Sequence, residues 1–268
     1  MSSHLIFKEI FKGISLEVED LYLLESFQMG YIRHRAEREF AAVLLAYPTI
    51  RRFMVKKHPA INDYVKKFEG EFGAAENDRE LAKCCDTLLW SIADLLVYNK
   101  CPEVYDNLEY HNWDFREVTV LTPLTGKVVI DGGAGTGRVT LEAAQTAGPV
   151  YAVEPVNRLR QFIRDKAANA YLDNIYVLDG FLHAIPLPDG SADVLITSHA
   201  LGWQLEKELW EFERVVKKGG YIIHCPGTAE VPDEDAQHYR LISPDWGYEF
   251  SRYQESDGWK RKYWKQVR

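Results

Sequence analysis

The sequence predicts an α/β protein in which an all-helical N-terminal region precedes a doubly wound, mostly parallel β-sheet. Residues 1–120 hold only four of the 18 glycines and repeat apolar residues at helical spacing. Residues 121–268 alternate short apolar runs with helical segments, which is typical of parallel strands joined by crossover helices. A glycine-rich turn follows the first apolar run. We therefore predict two domains, 1–120 and 121–268.

The helical region has its strongest apolar periodicity in residues 38–55 and 79–98. Pro48, Pro59 and the loop at residues 73–78 interrupt the pattern and predict about five helices. This region is larger than a nucleotide-binding fold requires.

The glycine-rich turn lies in residues 128–140, VVIDGGAGTGRVT. Its apolar start, the acid Asp131 and the four glycines that follow predict a buried strand that turns sharply into a helix. Glycine is favoured where the backbone needs positive φ or where a ligand presses against it, although an ordinary glycine-rich turn would look similar. A dinucleotide fingerprint starting at Gly133 would require a small residue at position 138, and Arg138 stands there. The turn therefore disfavours a nicotinamide dinucleotide.

A second apolar strand at residues 150–153 ends at Glu154, 21 residues beyond Gly133. A carboxylate at this position can accept hydrogen bonds from the two adjacent hydroxyls of a ribose. The alternative is a solvated acid at a strand end.

Further strands are predicted at residues 175–178 and 192–197, and a fifth within residues 213–227. Residues 248–258 and 259–268 form the two arms of a hairpin that turns at Ser256, Asp257 and Gly258. The sheet then has seven strands, with an antiparallel end.

The D-x-G-x-G-x-G run from Asp131, the later acid Glu154, and the segments 185–195 and 213–227 occur in one order over residues 126–227. Together they resemble class I S-adenosylmethionine-dependent methyltransferases, and most closely those that act on small molecules or in quinone biosynthesis. The resemblance implies a seven-stranded Rossmann-like methyltransferase sheet with an N-terminal helical cap. It also implies S-adenosylmethionine as methyl donor and S-adenosylhomocysteine as product.

The resemblance implies a set of cofactor-binding residues in this chain. They are Asp131, Gly132, Gly133, Gly135, Gly137, Glu154, Pro155, Gly180, Phe181, Leu182 and Ser198. At Phe181 the chain departs from many relatives, which have an acid for the adenine amino group; Asp179 lies two positions earlier. We expect the backbone around Phe181 and Leu182 to face the adenine edge, with apolar side chains against the ring.

A sulfonium methyl group is already activated, so orientation of the acceptor and exclusion of water supply much of the rate. His199, just after the fourth strand, is the candidate catalytic base; a strand-end histidine held by the backbone is the alternative. Tyr105 and Tyr110 are candidates for positioning, because related enzymes often close an aromatic segment over the cofactor there. Packing between cap and sheet is the alternative for both. The helical cap is expected to select substrate, or else to serve dimerisation or partner binding.

A net charge of −8 disfavours nucleic acid, and no N-P-P-Y signature follows the fourth strand. We therefore predict an enzyme that methylates oxygen or carbon, less readily nitrogen, of a small molecule. The basic, aromatic run at residues 259–268 leaves an RNA methyltransferase as one alternative. A non-catalytic methyltransferase-like binding module is another.

Bulk features set the remaining expectations. The four cysteines form no C-x-x-C pair, and no spaced acidic set follows the fourth strand, so neither a disulfide nor a metal site is expected. Neither an apolar run long enough to cross a bilayer nor a signal peptide is found, which predicts a cytoplasmic protein without a membrane span. Oligomeric state is left open.

Overall fold

The computed structural model describes residues 3–32, 35–108, 113–225, 235–255 and 258–268. The chain divides into two compact units, Met1–Tyr105 and Asp106–Arg268. The sequence analysis placed the boundary between domains at residue 120. In the structure, residues 106–120 belong to the unit that contains the sheet.

The first unit is helical throughout its described residues. Its elements are α1 Ser3–Ile10, a 3-10 helix Val18–Leu23, α2 Ser26–Ile32, α3 Glu37–Ala46, α4 Pro48–Lys57, α5 Ala60–Phe72, α6 Asp78–Ser91, α7 Ala93–Lys100 and α8 Pro102–Asp106, whose last residue passes into the second unit. Pro48 begins α4 as predicted, because proline tolerates the first helical position. Asn77 caps α6 by accepting a hydrogen bond from the N–H of Glu80 at 3.0 Å. The buried core includes Phe40 and Leu44, one turn apart on α3.

The expectation of about five helices was wrong, because the described part of this unit has eight α-helices. The continuous apolar pattern at residues 79–98 is divided at Ile92, whose φ of −119° and ψ of 18° leave the helical range. Next to the break, Ser91 Oγ donates to the carbonyl of Leu88 at 2.7 Å, and Arg35 donates to the carbonyl of Ser91. The N–H of Ile92 still bonds to Leu88, but the N–H of Leu95 bonds to Ile92 and leaves the carbonyl of Ser91 to Arg35, which periodicity could not indicate.

The second unit is built on a seven-stranded sheet in the order β3-β2-β1-β4-β5-β7-β6. The strands are β1 Val129–Gly132, β2 Val150–Val153, β3 Ile175–Leu178, β4 Ala192–Thr197, β5 Val216–His224, β6 Glu249–Glu255 and β7 Gly258–Gln266. The first five pair in parallel, and β7 pairs antiparallel with both β5 and β6. The predicted fold class is confirmed, and β2, β3 and β4 have the predicted bounds.

Helices pack on both faces of this sheet. They are α9 Arg116–Thr119, α10 Arg138–Ala144, α11 Asn157–Asn169, α12 Leu205–Val215 and α13 Ala236–Leu241. Neighbouring residues of β1 point to opposite faces: Ile130 joins the cluster that contains Phe212 of α12, and Val129 joins the cluster that contains Val139 of α10. Because both faces are covered, all four residues of β1 are buried, without alternation.

The basic strand β7 lies inside the sheet, between β5 and β6. The strand and its antiparallel pairing were predicted, with the turn residues Ser256 and Asp257 outside the described residues. One solvated face was expected, but Arg261, Lys262 and Tyr263 are all buried. Lys262 Nζ lies 2.6 Å from a carboxylate oxygen of Glu117, and Lys265 Nζ lies 2.5 Å from one of Glu213. Much of the positive charge of the run is therefore neutralised within the unit.

Within the described ranges, the helices are all too short or too polar to span a bilayer.

Candidate active site

The glycine loop joins β1 to α10 at the carboxyl edge of the sheet. Gly133, Gly135 and Gly137 have φ values of 69°, 55° and 83°, in the left-handed region that favours glycine. A Cβ on Gly133 would lie 2.5 Å from the Cβ of Ala200, and one on Gly137 would lie 3.0 Å from a side-chain carbon of Ile163. The loop therefore needs glycine both for its backbone conformation and for close approach by its neighbours.

Glu154 follows β2 and is directed at the glycine loop. One carboxylate oxygen accepts the backbone N–H of Gly135 at 2.9 Å, and the other accepts the N–H of Val156 at 2.9 Å. The residue is 5% exposed, and burial raises the pKa of its carboxyl to about 7 against the lowering effect of these hydrogen bonds. The predicted acid is thus part of the loop's own hydrogen-bonding network.

The acceptor capacity of Glu154 fits a ribose. An ionised carboxylate offers about four lone-pair sites, and the two backbone donors occupy one site on each oxygen. About two sites are left, which matches a pair of adjacent hydroxyls. The residues that would hold an adenosyl cofactor are therefore Glu154 and the glycine loop to which it is bonded.

Asp131 lies beneath the loop rather than at its surface. It is 1% exposed, and Thr140 Oγ1 on α10 donates to its carboxylate at 2.5 Å. Burial raises the pKa of Asp131 to about 7. The strand-tip acid thus ties β1 to the helix after the loop.

The loop after β3 contains Phe181, which stands where many relatives have an acid for the adenine amino group, and the nearby acid Asp179. The side chain of Asp179 is 70% exposed and lies 3.0 Å from the guanidinium of Arg160. Arg160 also donates to the backbone carbonyls of Glu154 and Pro155, at 2.9 and 2.8 Å. Arg160 therefore links the ends of β2 and β3.

Gly180, Phe181 and Leu182 follow in this loop. A Cβ on Gly180 would lie 2.7 Å from Pro186, so packing alone requires glycine there. The ring of Phe181 stacks on that of His183, with centroids 5.3 Å apart, and Leu182 is buried over Gly132. The contact of this loop with adenine stays a prediction.

Residues 198–204 follow β4 and approach the glycine loop through Ala200. Ser198 is half-buried, and His199 is exposed with a φ of 55°. A left-handed backbone is costly for a non-glycine residue and is often found at functional sites. The structure places His199 at the predicted edge of the sheet, and its catalytic role stays a prediction.

Among the other histidines, His224 is 1% exposed, and its Nδ1 lies 2.7 Å from Thr197 Oγ1. Burial lowers the pKa of His224 to about 3, so the imidazole is neutral at working pH and supports structure rather than proton transfer. Of the positioning candidates, Tyr105 packs edge-to-face on Tyr98 within the first unit. Tyr110 lies outside the described residues.

Three polar residues that support this edge were missed from sequence: Thr140, Arg160 and Glu208. Glu208 is 1% exposed and accepts the backbone N–H groups of Gly202 and Gln204, each at 2.8 Å. An acid one turn into a helix is a recognisable capping signal, and it could have identified Glu208. Thr140 and Arg160 carry no comparable signal, because their partners become neighbours only when strands and helices pack.

Comparison with known proteins agrees with this geometry. Residues 130–224 match the family model of a methyltransferase domain. An uncharacterized methyltransferase of Anoxybacillus flavithermus is 25% identical over 140 residues, which are 47% of this chain and 64% of the relative. The malonyl-(acyl-carrier protein) O-methyltransferase of Yersinia pestis is 35% identical over 151 residues, 54% of either chain. A crystal structure of a SAM-dependent methyltransferase from Aquifex aeolicus aligns with a TM-score of 0.52 at 19% identity, covering 64% of this chain and 98% of that one.

Over residues 130–224 the chain is thus similar to methyltransferase domains, and its sheet has the fold of the class I S-adenosylmethionine-dependent methyltransferase superfamily. S-adenosylmethionine is the cofactor of this superfamily. At 19% identity, the likeness to the Aquifex aeolicus structure shows the fold and not the activity. The chain spans less than two thirds, 64%, of the length of the Anoxybacillus relative.

Proposed function

We propose that the protein is a methyltransferase that transfers the methyl group of S-adenosylmethionine to oxygen or carbon of a small-molecule acceptor. The observation that carries the proposal is the Glu154 carboxylate, which is bonded to the glycine loop and keeps acceptor sites for two hydroxyls. The cofactor supplies an activated methyl group on a sulfonium. The chain has to hold the acceptor in line with it and exclude water.

The proposal gives separate roles to the residues at this edge. Glu154 and the loop from Gly133 to Gly137 bind the cofactor, and Phe181 and Leu182 adjoin its adenine. His199 takes the proton that a hydroxyl acceptor loses as its oxygen bonds to the methyl carbon. Tyr105 and Tyr110 position the reactants, and the helical unit selects the acceptor.

The pairing of basic residues of β7 with acids favours a small-molecule acceptor over RNA. Lys262 and Lys265 are engaged by Glu117 and Glu213, so β7 offers few charges to a phosphate backbone. An oxygen acceptor is supported by the name of the Yersinia pestis relative, an O-methyltransferase.

Isothermal titration of the full chain with S-adenosylhomocysteine tests the proposal. We expect binding by the wild type and its loss in Gly135→Arg, because Gly135 has a φ of 55° and its N–H is bonded to Glu154, so a side chain strains the loop at that contact. Glu142→Ala, a change at a half-exposed acid on α10, serves as the matched control and keeps wild-type affinity. Absence of binding to the wild type would overturn the proposal, as would binding that Gly135→Arg does not weaken. Tight binding without methyl transfer to any hydroxyl or carbon acceptor would instead favour the binding module.

A further inference from the structure

A cavity of about 560 Å³, widely open to solvent, lies between the loop after β4 and helix α13. Its wall includes Leu201, Trp203, Leu205, Ala236, Gln237 and Arg240. The volume falls within the range of small-ligand pockets.

The position of this cavity relates it to the glycine loop. Ala200 is the residue whose Cβ approaches Gly133, and the next residue, Leu201, lines the cavity. Both features lie at the carboxyl edge of the parallel strands, where ligands bind in open α/β sheets. One short segment, Ala200 and Leu201, therefore contributes both to the contact with the glycine loop and to the wall of the cavity.

The loop that forms the wall is fixed from two sides. The buried carboxylate of Glu208 accepts the N–H groups of Gly202 and Gln204, and Gln237 Nε2 donates to the carbonyl of Leu201 at 3.1 Å. Gly202 has a φ of 122°, and a Cβ there would lie 2.8 Å from Gln237 Nε2. These contacts hold Trp203, between two of the fixed residues, in a defined place. A preorganised wall of this kind reduces the entropy cost of binding.

The wall is apolar and aromatic. Leu201 and Leu205 pack against the core of the sheet, while the indole of Trp203 is 59% exposed. A large exposed aromatic side chain beside a cavity offers a flat surface for another ring. The wall thus favours a planar apolar group.

The rim adds a preference on charge. The guanidinium of Arg240 is bonded to two carboxylates, with Nε 2.5 Å from Glu206 and Nη1 2.6 Å from Asp245. Glu206 and Asp245 do not line the cavity, but they compensate the positive charge of Arg240, the charged residue of its described wall. The rim therefore offers little attraction to an anionic ligand.

We propose that this cavity is an acceptor subsite that binds an uncharged, planar aromatic alcohol by stacking on Trp203. Glu208 is a positioning residue, because it holds the loop that presents the indole. The assignment as acceptor subsite rests on the proposed methyltransferase function, whereas the binding of the ring does not.

Calorimetric titration of the full chain with 2-naphthol tests the subsite. We expect Trp203→Ala to weaken 2-naphthol at least about tenfold, a change of about 1.4 kcal/mol. The matched control is Trp210→Ala, because Trp210 is 65% exposed on α12 and does not line the cavity. Equal effects of the two substitutions, or no effect of Trp203→Ala, would overturn the proposal.

Two further titrations test the charge preference of the cavity and the positioning role of Glu208 separately. The anion 2-naphthoate should bind more weakly than 2-naphthol, and equal or tighter binding would contradict the charge preference. Glu208→Gln should weaken 2-naphthol more than S-adenosylhomocysteine, since an amide cannot accept both N–H groups as the carboxylate does. Unchanged 2-naphthol affinity, or an equal loss of both affinities, would contradict the positioning role. If 2-naphthol binding depends on Trp203 but S-adenosylhomocysteine does not bind, the ring-binding site is supported and the methyltransferase function is contradicted.

Discussion

The carboxylate of Glu154 accepts the backbone N–H of Gly135 at 2.9 Å, so the end of β2 holds the glycine loop directly. The loop contains three glycines with positive φ, and this hydrogen bond helps to offset the conformational entropy that they lose on ordering. One side chain thus connects the shape of the loop to the acceptor sites proposed for the ribose.

Replacement of Glu154 by glutamine tests this connection. The amide keeps the size of the side chain but turns an NH2 group toward a backbone N–H, so we expect S-adenosylhomocysteine to bind more weakly by about 1.5–3 kcal/mol. Isothermal titration measures the change. Glu142→Gln is the control, and a Glu154→Gln affinity equal to that of the control would contradict the role.

Cofactor affinity should depend on pH through Glu154. Burial raises the pKa of its carboxyl to about 7, and hydroxyl donors favour the ionised form. Affinity for S-adenosylhomocysteine should therefore fall as pH drops below about 7, by up to about tenfold per pH unit. Titrations across this range in wild type and Glu154→Gln decide the matter: the variant should lose the dependence, and Asp131→Asn should keep it.

Asp131 should make the folded state less stable as pH rises. Burial raises the pKa of its carboxyl from 3.8 to about 7 in the folded chain. Between pH 3.8 and about 7, Asp131 is ionised in the unfolded chain but still protonated in the folded chain. The stabilisation that protonated Asp131 gives to the folded state is therefore complete below pH 3.8 and is lost as pH rises through about 7. The cost is about 1.4 kcal/mol per pH unit within this window. Urea denaturation should show a smaller loss in Asp131→Asn, whose amide oxygen still accepts from Thr140; parallel curves would refute this assignment.

His199 combines a proposed chemical role with a left-handed backbone, at a φ of 55°. Both His199→Gly and His199→Ala remove the imidazole, but glycine alone relieves the steric cost. We expect the glycine variant to be more stable than the alanine variant by about 1 kcal/mol in thermal unfolding. With a hydroxyl acceptor, both should lower kcat and abolish the acidic limb of its pH profile, where protonation removes the base. Unchanged kcat in both variants would exclude His199 as the base.

The pair of Lys262 and Glu117 should stabilise the fold rather than bind RNA. The side chain of Lys262 is 7% exposed and that of Glu117 is 29% exposed. Glu117→Gln leaves the buried ammonium without its counter-charge and should cost about 3 kcal/mol, whereas Lys262→Met leaves the better hydrated carboxylate and should cost about 1 kcal/mol. Urea denaturation gives both values, and the double variant should recover most of the larger loss. A larger cost for Lys262→Met would contradict this account.

Much of the sheet could be predicted because its signals are local. Buried parallel strands are short apolar runs bounded by turn residues, and β2, β3 and β4 have the bounds that these runs indicate. The hairpin of β6 and β7 was also predicted, but the burial of Lys262 was not, because its partner Glu117 is 145 residues away in sequence. The break at Ile92 was missed for a similar reason, since Arg35 comes from the segment between α2 and α3, 56 residues from Ser91 in sequence.

The sequence by itself determined the fold class, the resemblance to a known family and the two elements proposed to bind the cofactor, the glycine loop and Glu154. These depend on residue types at fixed spacing, which the chain retains whatever packs around it. Only the tertiary structure decided how those elements are held and what surrounds them. Glu154 is bonded to Gly135, Asp131 is buried under Thr140, and Glu208 fixes the loop that carries Trp203. Such contacts join residues from separate elements, and burial sets their strength and their pKa values, so they exist only once the chain is folded.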